Sequence, residues 1–347
     1  MLQVKRLGIL TGGGDCPGLN PAIRAVVIRA ADYGYEVIGI RDGWAGLIKG
    51  DTEPLNVENV REIISQGGTI LGTSRTNPYK NEEDRKRALE NFSRLGLDAL
   101  IAIGGDDTLG VAGKFAKEGL PTAGIPKTMD NDVPETDYCI GFDTAVSVAV
   151  DALERLKDTA RSHRRIMVLE VMGREAGWVA LYTGMAGGAD WTLIPEVPAD
   201  LEEMAENLLE KRRRGRLYGT VVVSEAVDLT GAIKEEETGE IDEFGHGRLD
   251  LRGVGQLVAQ EIARRTGIAA KHAVIGHIQR GGSPVLRDRY YPTRFGISAV
   301  DLVHRGEFGK MVVLKGEEIG VVEMEKVAGR VKTVPPELYQ LAKLLFK

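Results

Sequence analysis

Cysteine, long apolar runs and a surplus of either charge are all scarce in this chain of 347 residues. The two cysteines, Cys16 and Cys139, are far apart and have no C-x-x-C or His-Cys spacing around them, so neither a disulfide framework nor a zinc site is expected. No stretch approaches the apolar length that crosses a bilayer. The charged residues, 28% of the chain, are mixed in sign and sum to a net charge of -6, which disfavours nucleic acid and anionic membrane as partners. Repeats of solenoid period and low-complexity tracts are missing. The start, "MLQVKRLGILTGGG", has a short apolar run that ends in glycines rather than in a cleavage site, so it reads as a first strand and the protein is expected in the cytoplasm.

What is present is enough apolar sequence, 43%, to bury a large core and to divide into two domains. The runs "LGIL" (7–10), "VIGI" (37–40), "ALIAIG" (99–104) and "TAGIP" (122–126) each end in a Gly- or Asp-rich turn. Helix-like stretches such as "NPAIRAVVIRAADYG" and "NEEDRKRALENFSRLG" lie between them, which predicts β-α-β units around a parallel sheet. A second α/β half is predicted from "RIMVLEVMG" (165–173), "TLIPEV" (192–197), "GTVVVSEA" (219–226) and "HAVIGHIQ" (272–279). The stretch 145–160 carries Val146, Ala149, Val150, Leu153 and Leu156 on one helical face and is expected to connect the halves. "KRRRGR" (211–216) should end a helix, with Gly215 as the stop, and the acidic 233–250 should be an exposed loop or hairpin. The terminal "ELYQLAKLLFK" reads as an amphipathic helix that serves packing.

In open α/β sheets ligands sit beyond the carboxyl ends of strands, so the turns after the apolar runs carry the chemistry. "LTGGGDCPGLNPAIRAV" has three consecutive glycines that would bare backbone N–H groups, with a helix following Pro21 whose positive end faces them, an arrangement suited to phosphate. It is neither a P-loop, for want of G-K-[ST], nor a dinucleotide fingerprint, since Pro17 stands where the last glycine belongs. A tight βα turn with no ligand would look the same. In "GGDDTLG" (104–110), Asp106, Asp107 and Thr108 offer oxygen ligands for Mg²⁺, although an Asp or Thr there could instead be an N-cap.

"IPKTMDND" (125–132) sets Lys127 to neutralise a phosphate, Thr128 to hydrogen-bond one, and Asp130 or Asp132 to take a proton from a hydroxyl nucleophile; Asn131 and Asp132 equally suit an Asx turn. Arg164, Arg165 and Arg174 in "SHRRIMVLEVMGREAGW" and His277 and Arg280 in "GHIQRGGSP" supply anion contacts beside glycine turns. Arg75 in "TILGTSRTNP" adds another, and Glu225 at a strand end could accept sugar hydroxyls or pair with an arginine. Cradle, metal carboxylate, cations and base together point to phosphoryl transfer. A nicotinamide-dependent dehydrogenase is disfavoured by the broken glycine pattern, and a non-catalytic sugar-phosphate sensor by the intact Asp106, Asp130 and Arg174.

Taken in order, "GILTGGGDCPGLN", "GGDDT", "PKTMDND", "SHRRIMVLEVMGREAGW", "PE" (195–196) and "GHIQRGGSP" make the chain resemble the 6-phosphofructokinases over roughly its first 295 residues. The resemblance implies the phosphofructokinase fold, two interleaved Rossmann-like three-layer α/β domains. Residues 1–140 plus about 254–306 would hold the phosphoryl donor and 141–253 plus about 307–347 the fructose 6-phosphate. It further implies transfer to the sugar's 1-hydroxyl with Asp130 as base, Thr128 and Arg174 assisting, Asp106 on Mg²⁺, and Gly13 and Arg75 at the donor. Arg165, Met172, Gly173, Glu225, His277 and Arg280 would hold the sugar phosphate, together with Lys271, which stands where ATP-dependent members usually have arginine. Tetrameric relatives complete this site with arginines from a neighbouring subunit, so a homodimer or homotetramer is implied.

Within the family it resembles, ATP-dependent members typically carry glycine at the positions of Asp107 and Lys127. The pair found here resembles the pyrophosphate-dependent branch, because an aspartate would occupy and repel the space of an α-phosphate while a lysine suits a small, highly anionic donor. Relatives with glycine at the first position and lysine at the second use ATP, so the two residues must be read together. Reversible transfer from pyrophosphate, with little control by nucleotides, is the expectation; ATP is the alternative donor.

Overall fold

The computed structural model describes residues 4–230 and 253–346, and the acidic segment 233–250 lies outside them. The chain forms two compact units, Met1–Thr144 with Arg280–Lys332 and Ala145–Gln279 with Thr333–Lys347. These boundaries differ from the expected ones: residues 254–279 belong to the second unit and 307–332 to the first. The reason is strand pairing, since the strand near 270 joins the second sheet and the strand near 310 joins the first.

Along the chain, β1 (Arg6–Thr11) leads into α1 (Leu19–Asp32), followed by β2 (Glu36–Ile40), α2 (Trp44–Lys49) and β3 (Thr52–Leu55). Then come α3 (Glu82–Arg94), β4 (Ala99–Gly104), α4 (Asp106–Lys117), β5 (Thr122–Pro126) and the long α5 (Phe142–His163). The second unit contributes β6 (Ile166–Val171), α6 (Trp178–Gly187), β7 (Trp191–Leu193), α7 (Leu201–Arg213), β8 (Gly219–Ser224), α8 (Val254–Thr266) and β9 (Ala270–Val274). The remainder is α9 (Arg287–Arg305), the hairpin β10 (Lys310–Lys315) and β11 (Glu318–Glu323), and α10 (Pro336–Lys343).

In the first unit the strand order is β11-β10-β5-β4-β1-β2-β3. The inner pairs are parallel and the edge pairs β2–β3 and β10–β11 antiparallel. β4 and β5 are buried at every position, as strands covered on both faces must be. Helix α1 buries Leu19, Ile23, Val26, Val27 and Ala30 at helical spacing. It begins two residues before Pro21, which therefore sits in the first turn, where its missing N–H has no helical partner to lose. The side chain of Asn81 accepts from Glu83 N–H and caps α3, whose first turn is acidic and last turn basic.

The second unit has the parallel order β7-β8-β6-β9. α7 ends in the predicted basic run, and the run is structural: Lys211 and Arg216 pair with buried Asp190 at 2.7 and 3.0 Å, while Arg213 and Arg214 pair with Glu210. The C-terminal helix also packs: Tyr339 donates to the Thr192 carbonyl at 3.0 Å, and the Phe346 ring lies 5.0 Å from that of Trp191. Among the described residues no helix is long and apolar enough to cross a membrane.

Candidate active site

Strand register builds the first cluster. Thr11 is paired with Ile103 and Gly104 with Pro126, so the carboxyl ends of β1, β4 and β5 lie side by side. The turns beyond them interlock: Gly12 N–H donates to Ile103 O and Lys127 N–H to Gly104 O, both at 2.9 Å. Gly13 N–H donates to Ser74 O at 3.0 Å, and Thr73 Oγ1 returns a bond to Gly13 O at 2.6 Å, which brings the exposed Arg75 next to the glycine turn. Two of the three glycine amides expected to face a phosphate are thus spent on backbone carbonyls, a correction to the reading of a bare N–H row.

The cations fill that space. Lys127, only 3% exposed, donates from Nζ to Gly14 O at 2.6 Å, and Arg280 Nη1 donates to Asp15 O at 3.2 Å. A β-carbon on Gly14 would lie 2.5 Å from that Nη1, so the absence of a side chain admits the guanidinium. Burial pulls the Lys127 ammonium below its ordinary value and the Arg280 charge adds in the same direction, against Asp15 and Asp132.

Asp106 and Asp107 are the first two residues of α4, and its N-cap is Gly105, so neither acid is the cap. Their charges favour that helix end. Thr108 is buried against the glycine turn. In the loop after β5, Thr128 Oγ1 accepts Asp130 N–H at 3.2 Å. Asn131, in the left-handed region at φ 54°, accepts Cys139 N–H at 3.0 Å and so holds the turn, as the Asx reading expects. Burial, with the charges of Asp130 and Asp106, pushes the Asp132 carboxyl up to about 7, so these acids sense one another. Among the described residues no group of three or more His, Cys, Asp or Glu side chains converges tightly enough to hold a metal ion by itself.

The second cluster lies within the other unit. Val171 pairs with Ser224 and Glu170 with Val274. Glu225 N–H donates to Val171 O at 3.0 Å and Ile275 N–H to Glu170 O at 3.2 Å. Met172, Gly173, Arg174, Glu225 and exposed His277 therefore stand at one end of the sheet. Gly173 has φ 153° and its N–H donates to Glu225 Oε1 at 3.3 Å. Met172 N–H is held at 2.8 Å by Gln279 Oε1, a fully buried residue inside "GHIQRGGSP" that sequence reading passed over because it carries no charge. Arg280 itself falls in the first unit, one residue beyond this cluster.

Arg165 and Lys271 do not join the cluster. They sit at the amino end of β6 and β9, where Ile166 pairs with Ala270 and Met167 with Lys271, about 20 Å of strand from Met172. Arg165 Nε is buried without a hydrogen-bond partner, and Lys271 lies exposed on an edge strand.

A buried lysine, neighbouring acids and a glycine turn at the carboxyl ends of parallel strands suit phosphoryl transfer. Residues 6–303 match the phosphofructokinase family. Pyrophosphate--fructose 6-phosphate 1-phosphotransferase of Dictyoglomus thermophilum is 55% identical over 98% of each chain. ATP-dependent 6-phosphofructokinase 3 of Streptomyces coelicolor is 46% identical over 96% of this chain and 98% of its own. The solved phosphofructokinase of Saccharomyces cerevisiae superposes with a TM-score of 0.81 at 30% identity, over 98% of this chain and 46% of the longer yeast chain. This chain belongs to the phosphofructokinase family.

Proposed function

We propose that the protein transfers a phosphoryl group reversibly from pyrophosphate to the 1-hydroxyl of fructose 6-phosphate, forming fructose 1,6-bisphosphate and phosphate. The observation that carries this reading is Lys127, buried and fastened by its Nζ to the Gly14 carbonyl at 2.6 Å, in a chain that also has Asp107 in the first turn of α4. Desolvation of an ammonium is unfavourable unless an anion compensates it, and a compact, highly charged donor does so best. Asp107 excludes the α-phosphate of a nucleotide by volume and charge. The name of the Dictyoglomus relative supports the same donor.

In this reading Asp130 takes the proton of the 1-hydroxyl as its oxygen attacks the nearer phosphorus of pyrophosphate. The bond to the leaving phosphate breaks as the new ester forms, with Thr128 and Arg174 stabilising charge on the transferring group. Gly13, Arg75, Thr108 and Lys127 hold the donor; Met172, Gly173, Glu225, His277 and Arg280 hold the sugar phosphate. The all-oxygen set around Asp106 fits Mg²⁺, which takes one or two carboxylates and shares its other positions with phosphate and water. Bound there, the ion would neutralise donor oxygens. Arg165 and Lys271, remote from Met172 along the strands, act in the site of a second copy of the chain, so the working protein is a homo-oligomer.

The specific identity of 46% to an ATP-dependent relative favours ATP as the second reading. Initial rates of fructose 1,6-bisphosphate formation with pyrophosphate and with ATP separate the two. Pyrophosphate is expected to dominate, and Asp107→Gly with Lys127→Gly to raise ATP use relative to it. Equal or greater turnover with ATP in the unmodified protein refutes the donor assignment.

A further inference from the structure

The most completely satisfied buried acid in the first unit has no part in the chemistry above. Asp288, at the start of α9, is fully buried. Its Oδ1 accepts Gly141 N–H at 2.7 Å and the Tyr138 hydroxyl; its Oδ2 accepts Thr144 N–H at 2.7 Å and Thr144 Oγ1 at 2.6 Å. Burial lifts the Asp288 carboxyl above its ordinary value, and the four hydrogen bonds pull against that rise without cancelling it. Burial and the adjacent charge push Tyr138 well up, so its hydroxyl stays a donor.

All four donors belong to the segment that begins with Lys127 and Asp130 and ends in the first turn of α5. The segment is folded back on itself. Ile140 N–H donates to Pro126 O at 3.3 Å, Lys127 and Ile140 form a parallel bridge, and Cys139 N–H donates to Asn131 Oδ1 at 3.0 Å. Thr136 Oγ1 donates to Tyr138 O and accepts Leu314 N–H, each at 3.0 Å. Holding Tyr138, Gly141 and Thr144 therefore holds, through Asn131 and Ile140, the positions of Asp130 and Lys127. Outside the segment, Arg287 pairs with Asp143 at 3.1 Å and lies over the Tyr138 ring.

We infer that Asp288 is the positioning residue for the catalytic loop, fixing Lys127 and Asp130 through Tyr138, Gly141 and Thr144 without touching substrate. This rests on the proposed roles of Asp130 and Lys127. Asp288→Asn keeps the volume but turns one acceptor into a donor that faces the Thr144 or Gly141 N–H. A loop displaced by roughly 1 Å should lower kcat by about 10²-fold.

The test is a double-mutant cycle on the full-length protein, with kcat and both KM values measured. Asp288→Asn and Tyr138→Phe are each made in the unmodified and in the Asp130→Asn background, and hydrogen exchange of residues 128–141 is followed in all of them. A residue that acts by placing the base lowers kcat in the first background and adds little in the second, while exchange across 128–141 quickens in both. Equal losses in the two backgrounds, or unchanged kcat in the first, overturn the inference. If Asp288→Asn does not fold, Tyr138→Phe, which removes one donor of four, is judged by the same criterion. Should Asp130→Asn retain full turnover, the base assignment falls separately, and the latch is decided by whether loop exchange and the KM for pyrophosphate rise together in Tyr138→Phe.

Discussion

Asp132 holds its proton up to about pH 7 because burial and two neighbouring aspartates oppose its charge. A carboxyl raised in the folded state binds more protons there than in the unfolded chain, so its contribution to stability is present below the ordinary 3.8 and is lost as pH climbs to about 7. Asp132→Asn removes that loss. In the absence of metal and donor, the variant should match the unmodified protein in Tm near pH 4 and exceed it by roughly 2–5 °C at pH 7.5. An equal Tm difference at both values would show that Asp132 ionises normally. Asp130, two residues away, is the proposed base, so the variant also reports whether the raised acid tunes the pH dependence of kcat.

At the level of elements, the glycine turn after β1 works less as an amide cradle than as a space left open for side chains. Gly14 illustrates this, since its missing β-carbon makes room for the Arg280 guanidinium. Gly14→Ala meets the far end of a flexible side chain rather than backbone, so Tm should hardly change. Arg280 must move, and loss of one charged hydrogen-bonding group should raise the KM for fructose 6-phosphate by roughly tenfold. Unchanged KM would mean that Arg280 does not serve the sugar phosphate. Most such elements were legible in sequence, because fully buried parallel strands read as apolar runs and each ends in a turn. The β10–β11 hairpin and the 19-residue α9 were not foreseen, the latter being interrupted in sequence by Pro292. Spent amides at Gly12 and Gly13 are tertiary bonds to residues 74 and 103, and no local pattern reveals them.

For the whole molecule, the chain crosses between its units at residues 144/145, 279/280 and 332/333, and the later crossings depend on which sheet each strand joins. Sequence periodicity finds strands but not their partners, which is why the expected boundaries after residue 253 were displaced. Strand direction sets Arg165 and Lys271 at the far end of the second sheet from Met172, in keeping with the expectation that a neighbouring subunit completes the site. If a second copy supplies these cations, Arg165→Ala and Asp130→Asn chains should each be nearly inactive and regain activity when dissociated and reassembled together, because hybrid sites combine an intact Asp130 with an intact Arg165. No recovery on mixing would place Arg165 outside a shared site.

The reverse reaction distinguishes pyrophosphate from a nucleotide as the donor. Supplied with fructose 1,6-bisphosphate, Mg²⁺ and inorganic phosphate, and with no nucleotide present, the protein should form pyrophosphate and fructose 6-phosphate in equal amounts. Formation of fructose 6-phosphate only when ADP replaces phosphate would make ATP, not pyrophosphate, the donor.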